Sequence, residues 1–292
     1  MKSLIDMYKI YSPSGSEAQM STYVEKKIAA LGIAYFRDKH GQLYSFANPG
    51  RPVVCAHMDQ VSNRPLKHLV AGKKYIHGDA NLGADDKNGV WMCLELLKTQ
   101  PDLNFIFSVQ EESGGKIHEL LDAKIEALPY CLVFDRMGSG DIIGTSNGYC
   151  HDDFETDIAA IGLNYGYAPA QGVYSDCDAL CAIINCVNLS CGYRNAHTKN
   201  EYTVIKELQN ALQFAIAITQ SDMGISVYPL PDGNAWDDYG ADAAYSWISI
   251  EGRCPLCYSK GQILESAYED EFLCLACGQA FTKEELTIYG GA

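Results

Sequence analysis

Histidine and carboxylate side chains that could bind a metal ion stand in five segments of the chain. They are His57 and Asp59 in PVVCAHMD, Asp85 in NLGADDKNGV, Glu111 and Glu112 in NFIFSVQEESGG, Asp135 in YCLVFDRMG, and His197 in GYRNAHTKNEY. Imidazole nitrogens and carboxylate oxygens together form a ligand set that suits zinc. Each segment ends an apolar run or opens a helical pattern, and open α/β sheets gather their ligands at the ends of strands.

The spacing within these segments indicates specific roles. One residue separates His57 from Asp59, so an extended chain places both side chains on one face, where the carboxylate can fix the imidazole tautomer that binds metal. Asp85 is either a first-turn acid of the following helix or a ligand whose two oxygens bind two ions. Glu111 and Glu112 end an apolar run, where one can bind metal while the other serves as general base.

Asp135 and His197 also have ordinary structural interpretations. An aspartate that closes an apolar run ahead of a glycine is often only a turn residue. A single histidine after a strand usually makes a structural hydrogen bond. Each interpretation is reasonable for one residue, but five such segments in one chain favour a metal site.

The apolar pattern predicts the elements that must bring these residues together. Predicted strands cover residues 34–36, 43–46, 53–56, 104–109, 130–134 and 186–189, and predicted helices cover residues 16–30, 87–98, 117–123, 178–184 and 203–219. Strands separated by helices imply an α/β domain with a largely parallel sheet.

Five blocks of the sequence resemble the co-catalytic zinc peptidases and occur in the order typical of that superfamily. They are SPSGSE, AHMDQV, LGADDKNGV, QEESG and HTKNE. The superfamily includes peptidase T, the aminoacylase-like carboxypeptidases, the single-domain zinc aminopeptidases and the tetrahedral aminopeptidases, and the local similarity is greatest to peptidase T-like enzymes. The resemblance covers residues 1–219 and implies a three-layer α/β/α peptidase domain with a mostly parallel central sheet.

The resemblance also implies a role for each residue of the site. One zinc ion would be bound by His57, Asp85 and Asp135, and the second by Asp85, Glu112 and His197. Asp59 would orient His57, Glu111 would be the general base, and the peptide bond from Asp85 to Asp86 would be cis. Cobalt or manganese could replace the two catalytic zinc ions, because carboxylate-rich sites select weakly among metals.

The chain departs from peptidase T in one respect that concerns the substrate. Too few residues separate Asp135 from His197 to hold the lid domain that peptidase T inserts there. Substrate contacts that the family takes from its lid must be absent or replaced. The candidates for substrate binding are Arg194, close to the last ligand, and Asp178. Asp178 lies in a YSDCDAL segment that resembles a family block, and we expect this aspartate to cap the next helix.

The cysteines predict a second metal site at the other end of the chain. Cys254, Cys257, Cys274 and Cys277 form two CxxC pairs, which is the ligand pattern of a four-cysteine zinc ribbon. Few basic residues surround them, so the ribbon is expected to be structural or to bind a protein partner rather than nucleic acid.

Composition limits the classes of function. The chain of 292 residues has 22 basic and 37 acidic residues, a formal net charge of −15, which disfavours a nucleic-acid partner. The N-terminal sequence does not resemble a signal peptide, and no apolar run is long enough to cross a membrane. Eight further cysteines are scattered through apolar segments, as in proteins of a reducing compartment. The sequence therefore predicts a cytoplasmic protein.

These observations predict a di-zinc peptidase domain over residues 1–221, a linker over 222–251, and the ribbon and tail over 252–292. The expected activity is hydrolysis of a peptide substrate by an exopeptidase of the aminopeptidase or tri/dipeptidase type. Two alternatives remain open. One is an amidohydrolase or deacylase that acts on N-acylated amino acids, and the other is an inert adaptor that acts through its ribbon.

The two metal sites predict three zinc ions per chain, two in the peptidase domain and one in the ribbon. Replacing Cys254→Ser together with Cys274→Ser should lower the zinc content by about one ion and leave hydrolysis largely intact, because these thiolates bind only the structural ion. Elemental analysis of purified protein provides the count. One zinc ion per unmodified chain, lost in the double variant, would contradict the catalytic metal site.

Overall fold

The structure is a computed structural model that describes residues 1–121, 123–225 and 228–231, together with four strands of the C-terminal part. The chain divides into two compact units, Met1–Asp232 and Gly233–Ala292. None of the helices within these described residues combines the length and the apolarity needed to cross a membrane.

The first unit contains seven α-helices and twelve strands among its described residues. The helices are α1 (Lys2–Tyr8), α2 (Ala18–Ala30), α3 (Ala84–Thr99), α4 (Ala123–Glu126), α5 (Asp152–Gly162), α6 (Cys177–Leu180) and α7 (Ile205–Thr219). The strands are β1 (Phe36–Arg37), β2 (Leu43–Ser45), β3 (Val53–His57), β4 (Leu69–Ala71), β5 (Tyr75–Gly78), β6 (Asn104–Ser108), β7 (Cys131–Arg136), β8 (Asp141–Ile143), β9 (Ala168–Ala170), β10 (Cys186–Ser190), β11 (Tyr193–Arg194) and β12 (Tyr202–Val204).

Eight of these strands form the central sheet, in the order β1-β2-β6-β3-β7-β10-β8-β9. Its four middle strands, β6, β3, β7 and β10, run parallel, whereas β1, β2 and β8 join their inner neighbours antiparallel. The prediction of an α/β domain with a mostly parallel central sheet is confirmed.

Side chains on the two faces of the sheet belong to two separate cores, because neighbouring residues of a strand point to opposite faces. Val54 and Ala56 of β3 pack in one core with residues of α1, α2, α3, α5 and α7. Val53 and Cys55 of the same strand pack in the other core, with residues of α6 and of the segment between β6 and β7. Helical elements therefore cover both faces of the sheet.

A second, four-stranded sheet adjoins the last ligand segment and was not predicted from the sequence. Its order is β11-β12-β5-β4, with every pair antiparallel. Each of these strands has only two to four residues, too few for a pattern of alternating burial to be recognised. The sheet includes both strands that flank His197.

Several predicted helices have different bounds in the structure. The helix predicted for residues 117–123 is wrong, because a 3-10 helix, Ile117–Leu120, ends at the extended residue Leu121 before α4 begins. The helix predicted for residues 178–184 is reduced to α6, and that predicted for 203–219 begins at Ile205 because Thr203 lies in β12.

Helix α5 was missed, since its acidic first turn resembles a loop in sequence. Asp152, Asp153 and Glu155 lie in that turn, where acidic side chains interact favourably with the helix dipole.

In the second unit, four strands pair antiparallel in the order β13 (Ile248–Arg253), β14 (Lys260–Glu265), β15 (Glu271–Cys274) and β16 (Ala280–Thr282). Three of the ribbon cysteines, Cys254, Cys257 and Cys277, lie outside the described residues, and Cys274 is described only by its backbone at the end of β15. The ribbon therefore stays a prediction, as do the bounds of the linker.

Candidate functional site

The carboxyl ends of three parallel strands bring most of the predicted site together. His57 is the last residue of β3 and lies in register with Ser108, the last residue of β6. A 3-10 helix, Glu111–Ser113, begins shortly after β6, and Asp135 lies near the end of β7. Because parallel strands end at one edge of a sheet, segments far apart in sequence meet here.

Asp85 lies between the two predicted histidine ligands. Its Oδ1 is 3.1 Å from Nε2 of His57, and its Oδ2 is 3.1 Å from Nε2 of His197. The backbone of His197 has a positive φ of 63°, so a tight turn presents this imidazole. Asp85 thus offers each of its oxygens to a different imidazole, which is the geometry of a carboxylate that can bind two ions at once.

Two more carboxylates complete the group. Oε1 of Glu112 is 2.8 Å from Nε2 of His197, and Oδ1 of Asp135 is 3.5 Å from Nε2 of His57. In two sets, His57–Glu111–Asp135 and His57–Asp85–Glu112, ligand atoms lie within 4.8 Å of one another. The donor types and their spacing fit metal binding by acidic and histidine residues.

The neighbours Glu111 and Glu112 differ in their contacts. Glu112 forms an ion pair with His197. Glu111 is buried and near enough to His57 and Asp135 to share an ion with them, yet its carboxylate makes no ion pair within the described part of the chain. Of the two, only Glu112 pairs with a histidine among the described residues.

Asp59 connects His57 to the segment that carries both glutamates. Its Oδ1 is 3.2 Å from Nδ1 of His57 and accepts a hydrogen bond of 3.1 Å from the backbone N–H of Glu111. Its Oδ2 accepts hydrogen bonds from the backbone N–H of Glu112 (3.2 Å) and from the Ser14 hydroxyl (2.6 Å). One fully buried carboxylate thus lies beside the imidazole and holds the backbone of the adjoining turn.

Burial and charge act together on the acids of the site. Burial, reinforced by neighbouring negative charge, raises the pKa of Glu111, Glu112 and Asp135 above their usual range. Burial would also raise the pKa of Asp85, but the two histidines lower it. Burial would lower the pKa of His57, yet the surrounding carboxylates raise it well above its usual value. The group has an excess of negative charge that a divalent cation would neutralise.

The peptide bond from Asp85 to Asp86 is cis, as the resemblance implies. Asp86 is fully buried, and its carboxylate accepts hydrogen bonds from the backbone N–H of His57 (3.2 Å) and of Gly89 (2.9 Å). The two neighbours therefore differ in function, since Asp85 faces the imidazole rings and Asp86 holds the backbone of β3 and α3.

The two predicted substrate candidates make contacts away from the group of histidines and carboxylates. Nη2 of Arg194 is 2.8 Å from Oε2 of Glu207 on α7. The expectation that Asp178 caps the next helix is wrong, because Asp176 is the N-cap residue of α6 and Asp178 lies in its first turn. Oδ2 of Asp178 accepts hydrogen bonds from the Tyr149 hydroxyl (2.6 Å) and from the backbone N–H of Ser175 (2.8 Å). Asp178 therefore holds the loop that precedes α6.

Glu201 was not identified from the sequence, although it ends the HTKNE block. It is 0 % exposed, and its two carboxylate oxygens accept the backbone N–H groups of Ala84 (3.1 Å) and Asp85 (3.2 Å). The loop that supplies His197 thus also anchors the backbone of Asp85. Only the tertiary contact distinguishes this glutamate from an exposed one.

Lys87, also fully buried, is a second residue that the sequence did not single out. Burial lowers its pKa to about 7, and burial raises that of Glu201 to about 8. Nζ of Lys87 donates hydrogen bonds to the carbonyl oxygen of Ile10 (2.9 Å) and to the side chain of Gln60. These bonds tie the beginning of α3 to the N-terminal segment.

Replacing Glu201→Gln should weaken metal binding at the site, because an amide can accept only one of the two backbone N–H bonds that fix Asp85. Loss of such an outer hydrogen bond typically lowers metal affinity by about 10–100-fold. Titration of metal-free protein with cobalt, followed by its absorption spectrum, measures this affinity.

Glu155→Gln is the matched control. Glu155 also accepts a backbone N–H, that of Thr145 at 3.0 Å, but it does so on α5, where it touches none of the predicted ligands. We expect its cobalt affinity to equal that of the unmodified protein. The role of Glu201 would be contradicted if both variants lost cobalt affinity equally, or if Glu201→Gln kept the affinity of the unmodified protein.

No protein-family model matches the chain, and no curated protein matches it. Solved structures do. The chain is similar to the aminopeptidase PepT from Bacillus cereus, with a TM-score of 0.65, 18% identity, and 77% of this chain and 98% of that chain covered. It is also similar to a tripeptidase from Staphylococcus aureus, with a TM-score of 0.61, 19% identity, and 77% and 98% covered.

A third match is the TET aminopeptidase from a marine-sediment archaeon of the Thaumarchaeota, with a TM-score of 0.61 and 12% identity. The alignment covers 76% of this chain and 98% of that chain. These peptidases belong to the groups that the sequence blocks resemble. The chain therefore shares the fold of these aminopeptidases and this tripeptidase.

Proposed function

We propose that this chain is a zinc-dependent exopeptidase of the aminopeptidase or tri/dipeptidase type. The observation that carries the proposal is the position of Asp85, with its two oxygens 3.1 Å from Nε2 of His57 and of His197. Similarity in fold to aminopeptidases and a tripeptidase supports the same reaction class.

The residues at the strand ends divide into two sets of ligands around Asp85. His57 and Asp135 would complete the first set, and Glu112 and His197 would complete the second. Both sets mix imidazole nitrogen with carboxylate oxygen, which suits zinc and also allows cobalt or manganese. When bound, two such ions would lower the pKa of a water molecule and polarise the carbonyl of the scissile bond.

Glu111 would be the residue that transfers protons during the reaction. Its carboxylate would accept the proton of the attacking water and then deliver it to the leaving amine, as a general base and acid. Asp59 would hold Nδ1 of His57 and, through the backbone N–H of Glu111, keep this carboxylate beside the ligands. No serine or cysteine nucleophile is required.

The variant Glu111→Gln keeps the size of the side chain and removes the proton acceptor. Turnover of a peptide substrate should fall by roughly 10²–10⁴-fold, while the zinc content stays the same. Its matched neighbour Glu112→Gln should instead lose zinc, because it removes a ligand. Steady-state kinetics and elemental analysis of both variants test this division, and full activity in Glu111→Gln would refute it.

An aminopeptidase should require the free amino group of its substrate. We expect zinc-loaded protein to hydrolyse a free-amine tripeptide about tenfold faster than its N-acetylated counterpart, because acetylation removes the ammonium charge that the net charge of −15 attracts over about a Debye length, roughly 8 Å at physiological salt. Chromatography of the products measures both rates. Equal rates, or faster hydrolysis of the acetylated peptide, would favour the amidohydrolase instead.

A further inference from the structure

The loop between β9 and α6 exposes two large apolar side chains, and the second of them lies close to the turn that follows Glu111 and Glu112. Val173 is 50% exposed and Tyr174 is 54% exposed. Single exposed apolar residues are common on protein surfaces and do not by themselves identify a binding surface. The pair is a candidate binding surface because the domain holds this loop in place and because the loop lies near the candidate site.

Side chains of the domain hold the backbone of this loop in place. Asn147 donates to the carbonyl oxygen of Gly172 (3.2 Å) and accepts from its N–H (3.0 Å). The Tyr149 hydroxyl donates to Asp178 and lies 3.3 Å from the carbonyl oxygen of Val173. Two apolar side chains on a fixed backbone lose little conformational entropy when a ligand covers them.

Gly172 also brings the loop against the central sheet. A Cβ atom at this position would lie 2.6 Å from Cγ2 of Ile143 on β8, so only glycine permits the close approach. The loop therefore packs against the central sheet on one side and is held by hydrogen bonds, while its other side faces solvent.

Tyr174 reaches the turn that carries the proposed general base. Its hydroxyl lies 3.4 Å from the position that a Cβ atom of Gly115 would take. The backbone N–H of Gly115 donates to the carbonyl oxygen of Gln110 (2.7 Å) and so closes the turn around Glu111 and Glu112. The side chain of Tyr174 therefore lies beside the turn that holds Glu111 and Glu112.

The charges around this ring disfavour an acidic side chain there. Burial, followed by the charges of Glu111, Asp176, Asp178 and Asp135, raises the pKa of Tyr174. Asp178 is occupied by Tyr149 and Ser175, and Asp176 is buried beneath the loop, where it accepts a hydrogen bond from Ser108. Asp176 is too deeply buried for a basic side chain to reach it, and Asp178 is held by its own partners, so the exposed side chains that this loop offers are those of Val173 and Tyr174.

We infer that Val173 and Tyr174 form the wall that contacts the substrate side chain beside the scissile bond, and that they select large apolar residues. This inference rests on the proposed peptidase function and specifies its substrate class. Leucine or phenylalanine would bury part of the wall, whereas alanine and glycine would leave it in contact with water.

The test compares kcat/KM of zinc-loaded protein on free-amine Xaa-Gly-Gly tripeptides with leucine, phenylalanine, alanine or lysine as the first residue. The unmodified protein should prefer leucine and phenylalanine to alanine. In Tyr174→Ala the leucine-to-alanine ratio should fall about tenfold, the scale expected for a lost apolar contact in a specificity pocket. Tyr174→Phe keeps the ring and should keep the ratio.

Leu163→Ala is the control for loss of an exposed apolar side chain, because Leu163 is 78% exposed and follows α5. It should leave the ratio unchanged. The proposed role of Val173 and Tyr174 is refuted if Tyr174→Ala keeps the leucine-to-alanine ratio of the unmodified protein. It is also refuted if the unmodified protein prefers lysine as the first residue.

A second measurement separates the wall from the peptidase function. Calorimetry on zinc-loaded protein compares the affinities of free leucine and free alanine, which are products of the expected reaction, without turnover. The peptidase function would be refuted if the protein hydrolysed none of the tripeptides. The wall would still be supported if that protein bound leucine more tightly than alanine and Tyr174→Ala lost this difference. Equal affinities of the unmodified protein for both amino acids would refute the wall.

Discussion

The accumulation of negative charge at the carboxyl edge of the sheet is the constraint on which the site depends. Asp85, Glu112 and Asp135 surround two imidazoles at distances of 2.8–3.5 Å, and Glu111 is buried beside them. Burying several carboxylates together costs free energy unless a cation or hydrogen-bond donors compensate. The proposed pair of divalent ions would provide this compensation, because the same oxygens that repel one another would then become ligands.

The backbone around the site is held by other carboxylates that accept its N–H groups. Asp59 accepts those of Glu111 and Glu112, Asp86 accepts that of His57, and Glu201 accepts that of Asp85. The segments of His57, Asp85 and the two glutamates are thus tied to residues distant in sequence.

Beside this hydrogen-bonded site, the loop between β9 and α6 keeps two apolar side chains exposed to solvent. No domain is inserted between Asp135 and His197, so the chain itself must supply the contacts that a lid would make. The loop with Val173 and Tyr174 is fixed from below by Asn147 and Gly172. Substrate recognition would then depend on a preformed apolar surface rather than on closure of a second domain.

The sequence by itself determined the strand-ending segments, the α/β class and the mostly parallel sheet, because apolar runs and adjoining acidic residues are local signals. It also indicated His57, Asp85, Glu112, Asp135 and His197 as one set, through types and order alone. Only the tertiary structure showed that Asp85 lies between both imidazoles, that Glu201 anchors it, and that Arg194 is engaged by Glu207. These are contacts between segments distant in the chain, and no local pattern of residues encodes which side chain will be buried against which backbone.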